Sequence, residues 1–184
     1  MGPNVTDAQA RHTYADYLET SDDERYELLN GELVMVPSPK EIHQSILGIL
    51  HLMVGTFVRE RRLGKVYFAP FDVVLSDTDV VQPDLLFVSN ERIGIVTADN
   101  VQGAPDLVVE ILSPATAERD RTIKLDLYAT HGVKEYWIVD PDAKTIMVML
   151  RGVGGFEAAG IYGAGETLRS PTLEGFSIEV EEVL

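Results

Sequence analysis

Two rhythms of apolar residues run through this chain. Between Ile42 and Phe57 the large apolar side chains fall at Ile42, Ile46, Ile49, Met53 and Phe57, in steps of four, three, four and four. That is a helical period, and a second row beside it (Leu47, Leu50, Val54, Val58) predicts burial over a wide face. Ser38 is placed as the N-cap, Pro39 as the first helical residue and Glu41 as the partner in a capping box. Arg59, Arg61 and Arg62 suit the negative end of the dipole, and Gly64 the left-handed residue that closes the helix.

The other rhythm is the dense apolar run. Lys65 to Leu75 and Val80 to Val88, joined by Ser76-Asp-Thr-Asp79, predict two strands. Ala104 to Ser113 predicts a central strand buried on both faces, stopped by Ser113-Pro114. A loop from about Ser89 to Gly103 precedes it. A helix from Thr116 or Glu118 to His131 follows, closed by Gly132, and then a strand from Lys134 to Asp140. Pro141-Asp142 turns the chain into Thr145 to Leu150, beyond which glycines punctuate short strands up to the acidic C-terminus. In front, Thr13 to Asp16 caps a short helix reaching about Thr20, and Ser21 to Glu24 reads as an acidic loop. Tyr26 to Leu29 and Glu32 to Val36 flank Asn30-Gly31, a pair suited to a type I′ hairpin turn. The elements predict an α/β fold around a mixed sheet, in the order helix, three strands, helix, strand, with an N-terminal β-hairpin and a β-rich C-terminal tail. The 184 residues are expected to form one domain, 1–184, with its core at about 38–141.

Composition narrows the chemistry. With no cysteine there is no disulfide, thiolate metal site or thiol nucleophile. No apolar run reads as a membrane span, and the N-terminus lacks the basic and apolar regions of a signal peptide, so a cytoplasmic protein is expected. Fifteen basic against thirty acidic residues leave a net charge of −15, which opposes nucleic-acid binding except through local basic segments or divalent cations. Two such segments are Arg59, Arg61, Arg62 and Lys65, and Arg119, Arg121 and Lys124. They are the candidate phosphate contacts.

Two carboxylates interrupt the apolar strands. Glu110 stands near the carboxyl end of the central strand, where α/β sheets place ligands, and Asp84 stands in the strand before it. If the strands pair, the two acids come within about 5 Å, where their repulsion calls for a cation. Mg²⁺ is suited to one or two carboxylates completed by waters and a phosphate, and Mn²⁺ is the alternative. Equally, the acids could be strand-end residues satisfied by backbone amides. Asp120, Lys124 and Tyr128 share a helix face at i, i+4 spacing, either as an exposed Asp120–Lys124 pair or with Lys124 aimed back over the strand ends. His43, Glu27 and Glu32 are auxiliary candidates, while hairpin charges such as Glu27 and Glu32 ordinarily face solvent. His51 and His131 read as plain helix residues, and Asp106 as a turn or edge residue opening its strand.

Several stretches together resemble a known family. They are Tyr26-Glu-Leu-Leu-Asn-Gly-Glu-Leu33, His43-Gln44, Val81-Gln-Pro-Asp-Leu-Leu-Phe-Val88, Pro105-Asp-Leu-Val-Val-Glu-Ile-Leu-Ser-Pro114, Arg119-Asp120 with Lys124 and Tyr128, and Gly132-Val-Lys-Glu-Tyr-Trp-Ile-Val-Asp-Pro141. In this order they resemble the Uma-type family of restriction-endonuclease-like proteins, within the PD-(D/E)XK nuclease superfamily. The resemblance runs from about residue 13 to the C-terminus. It implies a restriction-endonuclease-like core, with Asp84 as first acid, Glu110 as second, and the Ile111 backbone carbonyl as a further metal ligand. The lysine expected two residues after the second acid is replaced by Leu112, and the resemblance makes Lys124 its substitute. The implied activity is Mg²⁺-dependent endonucleolytic hydrolysis of DNA by a homodimer, since cutting both strands commonly calls for two sites. Two alternatives remain open: an inactive nuclease-fold binding or interaction module, and a metal-dependent phosphohydrolase on a smaller substrate.

Overall fold

A computed structural model describes residues 11–21 and 24–184 of the chain. The acidic Asp22-Asp23 pair and the N-terminal segment weighed as a signal peptide lie outside the described residues. The chain opens with α1 (Tyr14–Tyr17), where Thr13 and Asp16 form a reciprocal capping box. The hairpin β1 (Tyr26–Leu29) and β2 (Glu32–Met35) follows, turned at Asn30 and Gly31, both with positive φ as a type I′ turn needs. Next come α2 (Glu41–Arg61), β3 (Gly64–Phe68), β4 (Val73–Ser76), β5 (Asp79–Val81) and β6 (Leu85–Ser89). A 3-10 turn (Asn90–Ile95) and β7 (Val101–Gln102) occupy the expected loop. Then follow β8 (Leu107–Ile111), α3 (Ala117–Arg121), α4 (Ile123–His131), β9 (Glu135–Asp140), β10 (Thr145–Gly152) and β11 (Gly155–Tyr162). The tail adds β12 (Thr167–Arg169), β13 (Ser177–Glu179) and a final 3-10 turn.

The main sheet has six strands in the order β11-β10-β9-β8-β6-β3, antiparallel except for the parallel β8–β9 pair. A second sheet runs β2-β1-β5-β4-β7. Period-two alternation divides the main sheet cleanly. Leu85 and Phe87 of β6, Leu107, Val109 and Ile111 of β8, and Trp137 and Val139 of β9 face the inner row of α2 and the C-terminal tail. Leu86, Val88, Val108, Tyr136 and Ile138 face the other way, against Leu127 and Tyr128 of α4 and the second sheet. Glu110 lies on that second face, with Ile138 of β9 as its partner in register.

The structure corrects several local expectations. Ser38 and Pro39 do not start the helix: Lys40 is the N-cap without a side-chain bond, and Glu41 accepts from Ser45 Oγ at 2.7 Å instead. The helix ends at Arg62 in the left-handed region, not at Gly64. Gly64 opens β3, where an added Cβ would stand 2.1 Å from the Val88 carbonyl, so close backbone approach is what requires glycine. Each of the two long strands divides at a proline, which has no N–H for the ladder. Pro70 separates β3 from β4, and Pro83 separates β5, in the small sheet, from β6, in the main one. Asp84 therefore sits where the chain crosses between sheets. The long helix breaks at Thr122, whose hydroxyl donates to the Glu118 carbonyl at 2.6 Å.

By length and composition α2 is long and apolar enough to cross a membrane, contrary to expectation. Its inner row, Ile46, Leu47, Leu50, Val54 and Val58, is buried on the main sheet.

Candidate active site

At the carboxyl end of β8 the alternation that buries Val109 on one face turns Glu110 to the other, toward α4. The antiparallel register pairs Leu85 with Val109, so one residue further on Asp84 comes opposite Glu110. Asp84 is held there by its own strand neighbour: Ile111 N–H donates to Asp84 Oδ2 at 2.7 Å. His43, in the first turn of α2, places Nε2 3.1 Å from the same oxygen.

Lys124 arrives from the first turn of α4. Its ammonium lies 2.9 Å from Glu110 Oε1, 2.9 Å from Glu27 Oε1 and 3.5 Å from Asp120 Oδ1. Tyr128, one turn later, donates to the same Glu110 oxygen at 2.6 Å. Glu27 comes from β1 and also accepts the Gln82 N–H at 2.9 Å. Glu27, Asp84, Glu110, Asp120, Lys124 and His43 all line one cavity of about 330 Å³, with Ile111 and Leu112 in its wall. Its rim is formed by Val36 to Lys40 before α2 and by Ser113 to Thr116 after β8.

Charge is out of balance in this cavity. Glu27, Asp84, Glu110, Asp120 and Asp142 line it against Arg25, Lys40, Lys124 and His43, so one carboxylate remains in excess even with His43 protonated, and at its centre Lys124 is the one cation in contact with Glu27, Glu110 and Asp120. Burial pushes Glu110 well above the usual carboxylate range; Lys124 pulls it down, and Asp120, Asp84 and Glu27 push it further up. Burial likewise raises Asp120 against the pull of Lys124 and Thr116, with Glu27 and Asp84 adding to the rise. For Lys124 burial works against the charge, but Glu110, Glu27 and Asp120 overcome it and hold the ammonium well above its ordinary pKa. Lys124 is thus a fixed cation and not a base at neutral pH. His43 is also raised: burial opposes its charge, but the hydrogen bond and charge of Asp84, the charge of Asp120 and the Ile111 backbone prevail.

The donor set fits a hard divalent cation in a particular way. Among the described residues, no three His, Asp or Glu side chains converge as a ready-made cage. The hydrogen bonds to Asp84 and Glu110 fall on Oδ2 and Oε1, so Asp84 Oδ1 and Glu110 Oε2 are the oxygens that would be offered to a cation. Two carboxylates, a backbone carbonyl and excess negative charge suit Mg²⁺, which keeps waters and takes phosphate oxygens, and do not suit Zn²⁺.

Other candidates lie elsewhere. Glu32 is exposed on β2, outside the cavity. Arg59 and Arg62 line a separate groove with Lys65. Arg61 stacks on Phe57 at 4.3 Å, Arg121 pairs with Asp140, and Arg119 is half-buried. Asp120, expected as an exposed partner of Lys124 or as part of the Arg119-Asp120 motif, is buried in the cluster. Their shared helix face, with Tyr128, was the available signal. Asp106 is no edge residue either: it is fully buried, taking the Ser89 N–H at 2.8 Å and Lys134 Nζ at 2.7 Å, with Arg92 at 3.5 Å.

The family profile described as "Uma2: Putative restriction endonuclease" matches residues 12–181. The chain belongs to the Uma2 family. No curated protein matches it. Among solved structures, a "putative nuclease belonging to DUF820" from Anabaena variabilis superposes with a TM-score of 0.79 at 19% identity. The alignment covers 93% of this Uma2 chain and 96% of that one, so the two share a fold over nearly their whole lengths.

Proposed function

We propose that this Uma2 protein is a divalent-cation-dependent nuclease that hydrolyses DNA phosphodiester bonds, its chain 1–184 acting as one domain in the cytoplasm. The observation that supports this most is the meeting of Asp84, Glu110 and Lys124 in one cavity although Leu112 stands where the superfamily lysine is expected. Asp84, Glu110 and the Ile111 carbonyl would hold Mg²⁺, with Mn²⁺ as substitute. When bound, the ion supplies Lewis acidity to a phosphoryl oxygen and lowers the pKa of a water.

The chain's own groups have distinct tasks in this reading. Glu27, Glu110 and Asp120 orient the Lys124 ammonium, which offsets charge developing on the phosphate. Tyr128 fixes the Glu110 carboxylate by its 2.6 Å bond. His43 holds Asp84 from the helix side and can carry a proton next to the leaving or entering oxygen. A duplex substrate would engage a homodimer, one site for each strand.

The test is cleavage of DNA with Mg²⁺ or Mn²⁺ by wild type, Asp84→Ala and Lys124→Met. Metal-dependent cutting by wild type alone supports the reading; equal cutting by Asp84→Ala removes it. One observation favours a second reading, an inactive binding module: Lys124 and Tyr128 both spend their bonds on Glu110 inside the fold. A wild type that binds DNA and never cuts it selects that reading.

A further inference from the structure

We propose that the groove between α2 and β3 is the track of single-stranded DNA leading into the carboxylate cavity, so that the substrate is an unpaired strand. The proposal rests on the nuclease reading for its chemistry, and its geometry comes from other residues. A groove of about 910 Å³ runs along the outer face of α2, lined by Gly48, His51, Gly55, Arg59, Arg62 and Lys65. Nothing lies within 4 Å of a Cβ built on Gly48, so this face of the helix is open.

Charge complementarity selects a polyanion. Arg59, Arg62 and Lys65 are exposed, and among the described residues none of them forms an ion pair with a carboxylate. Three unspent cations on one groove stand out in a chain of net charge −15. An aromatic platform accompanies them. Phe68, on the edge strand β3, is 49% exposed, and its ring centroid lies 4.4 Å from that of His51. Phe68 stands outside the groove's lining and reaches it through His51, so a basic groove with an exposed ring at its edge matches the way unpaired strands are held, phosphates on cations and bases on aromatic faces.

The groove and the cavity are separate depressions whose linings come from adjacent residues of the chain. Leu47 lines the cavity and Gly48 the groove; Tyr67 lines the groove and Ala69 the cavity, with Phe68 between them. From His43 to Arg59 the helix rises about 24 Å, enough for several nucleotides. Depth then separates strand from duplex. Glu110 and Lys124 are 3% and 4% exposed at the floor of a cavity of about 330 Å³. A flexible strand can lower one phosphate to that floor, whereas a duplex holds its phosphates on a rigid outer surface.

The test measures anisotropy of a labelled thymidine oligonucleotide of about twenty nucleotides, spanning more than one such site. It compares the oligonucleotide with a duplex of equal length, in Ca²⁺ and over a range of salt. Wild type is expected to bind the strand at least about tenfold tighter than the duplex, and Phe68→Ala to weaken the strand about tenfold without changing thermal melting. Replacing Arg59 by Gln and Arg62 by Asn, which tolerates the left-handed conformation at 62, should lower the log–log salt slope by about 1.4. Equal or tighter duplex binding, or an affinity within about twofold of wild type for Phe68→Ala, overturns the proposal. So do variants that convert a dimer to a monomer with strand affinity intact, because the face then belongs to a second copy. Cleavage with Mg²⁺ is read separately. Strand binding without cutting keeps the track and removes the nuclease reading; strand cutting at unchanged kcat/KM by Phe68→Ala removes the track and keeps the nuclease.

Discussion

Two buried glutamates on neighbouring strands of the main sheet have opposite surroundings. Glu135, at the start of β9, accepts from Trp137 Nε1 at 2.6 Å, Ser170 Oγ at 3.0 Å and Thr172 N–H at 2.8 Å. Its donors are neutral, no cation or second acid touches it among the described residues, and it ties the C-terminal tail to the sheet. Glu110, toward the other end of β8, shares its space with three more carboxylates, a lysine and a cavity. Burial alone therefore does not mark a functional acid. What distinguishes Glu110 is charge left uncompensated beside open space.

Breaking the charged cluster should have the largest effect. Lys124→Met leaves Glu27, Glu110 and Asp120 buried without their cation, and urea unfolding is expected to show a loss of about 3–5 kcal/mol. A loss below about 1 kcal/mol would mean that the cluster is screened by water rather than buried. The structural acid comes next. Glu135→Leu strips acceptors from three donors, for about 1–3 kcal/mol per group left buried and unsatisfied, and DNA cleavage per folded molecule should be unchanged. A cleavage defect beyond the folded fraction would erase the distinction between the two glutamates.

Tyr128→Phe removes one bond to a charged acceptor, for about 1.5–3 kcal/mol or less, and kcat is expected to fall more than KM changes. Smallest is the pH effect. Glu110, Asp120 and His43 all have raised pKa values in the folded protein. The stability each contributes is complete below its ordinary pKa and lost as pH rises through the raised one. Asp106 and Asp140, both lowered, contribute only above the ordinary carboxylate range and stay constant there. The metal-free protein should therefore melt at lower temperature as pH climbs from mildly acidic to alkaline, and Glu110→Gln should flatten that slope. A slope unchanged in the variant would place the titration elsewhere.

Much of the fold was legible because its signals are local. Asn30-Gly31, the Leu47, Leu50, Val54 and Val58 row of α2 and the closing Gly132 each act within a few residues and behave as their chemistry dictates, whereas in the other row of α2 Ile46 is buried but Ile42 and Ile49 are exposed. Gly64 misled because a glycine just after a helix and a glycine under a facing carbonyl look alike in sequence. Pro83 was visible, but only pairing partners show that the chain changes sheets there, which puts Asp84 at a crossover. Asp84, Glu110 and Lys124 were nameable from strand placement and family motifs. Glu27 was nameable only as an auxiliary acid and Asp120 only as a neighbour of Lys124, since their burial depends on β1 and a broken helix converging from distant parts of the chain.

The cation itself is the most direct point of attack. Calorimetric titration of Mg²⁺, and of Mn²⁺ in parallel, into wild type and Glu110→Ala should show one binding event in wild type. It should vanish in the variant. Absence of binding in both proteins, or the same isotherm in both, contradicts a cation site at Asp84 and Glu110.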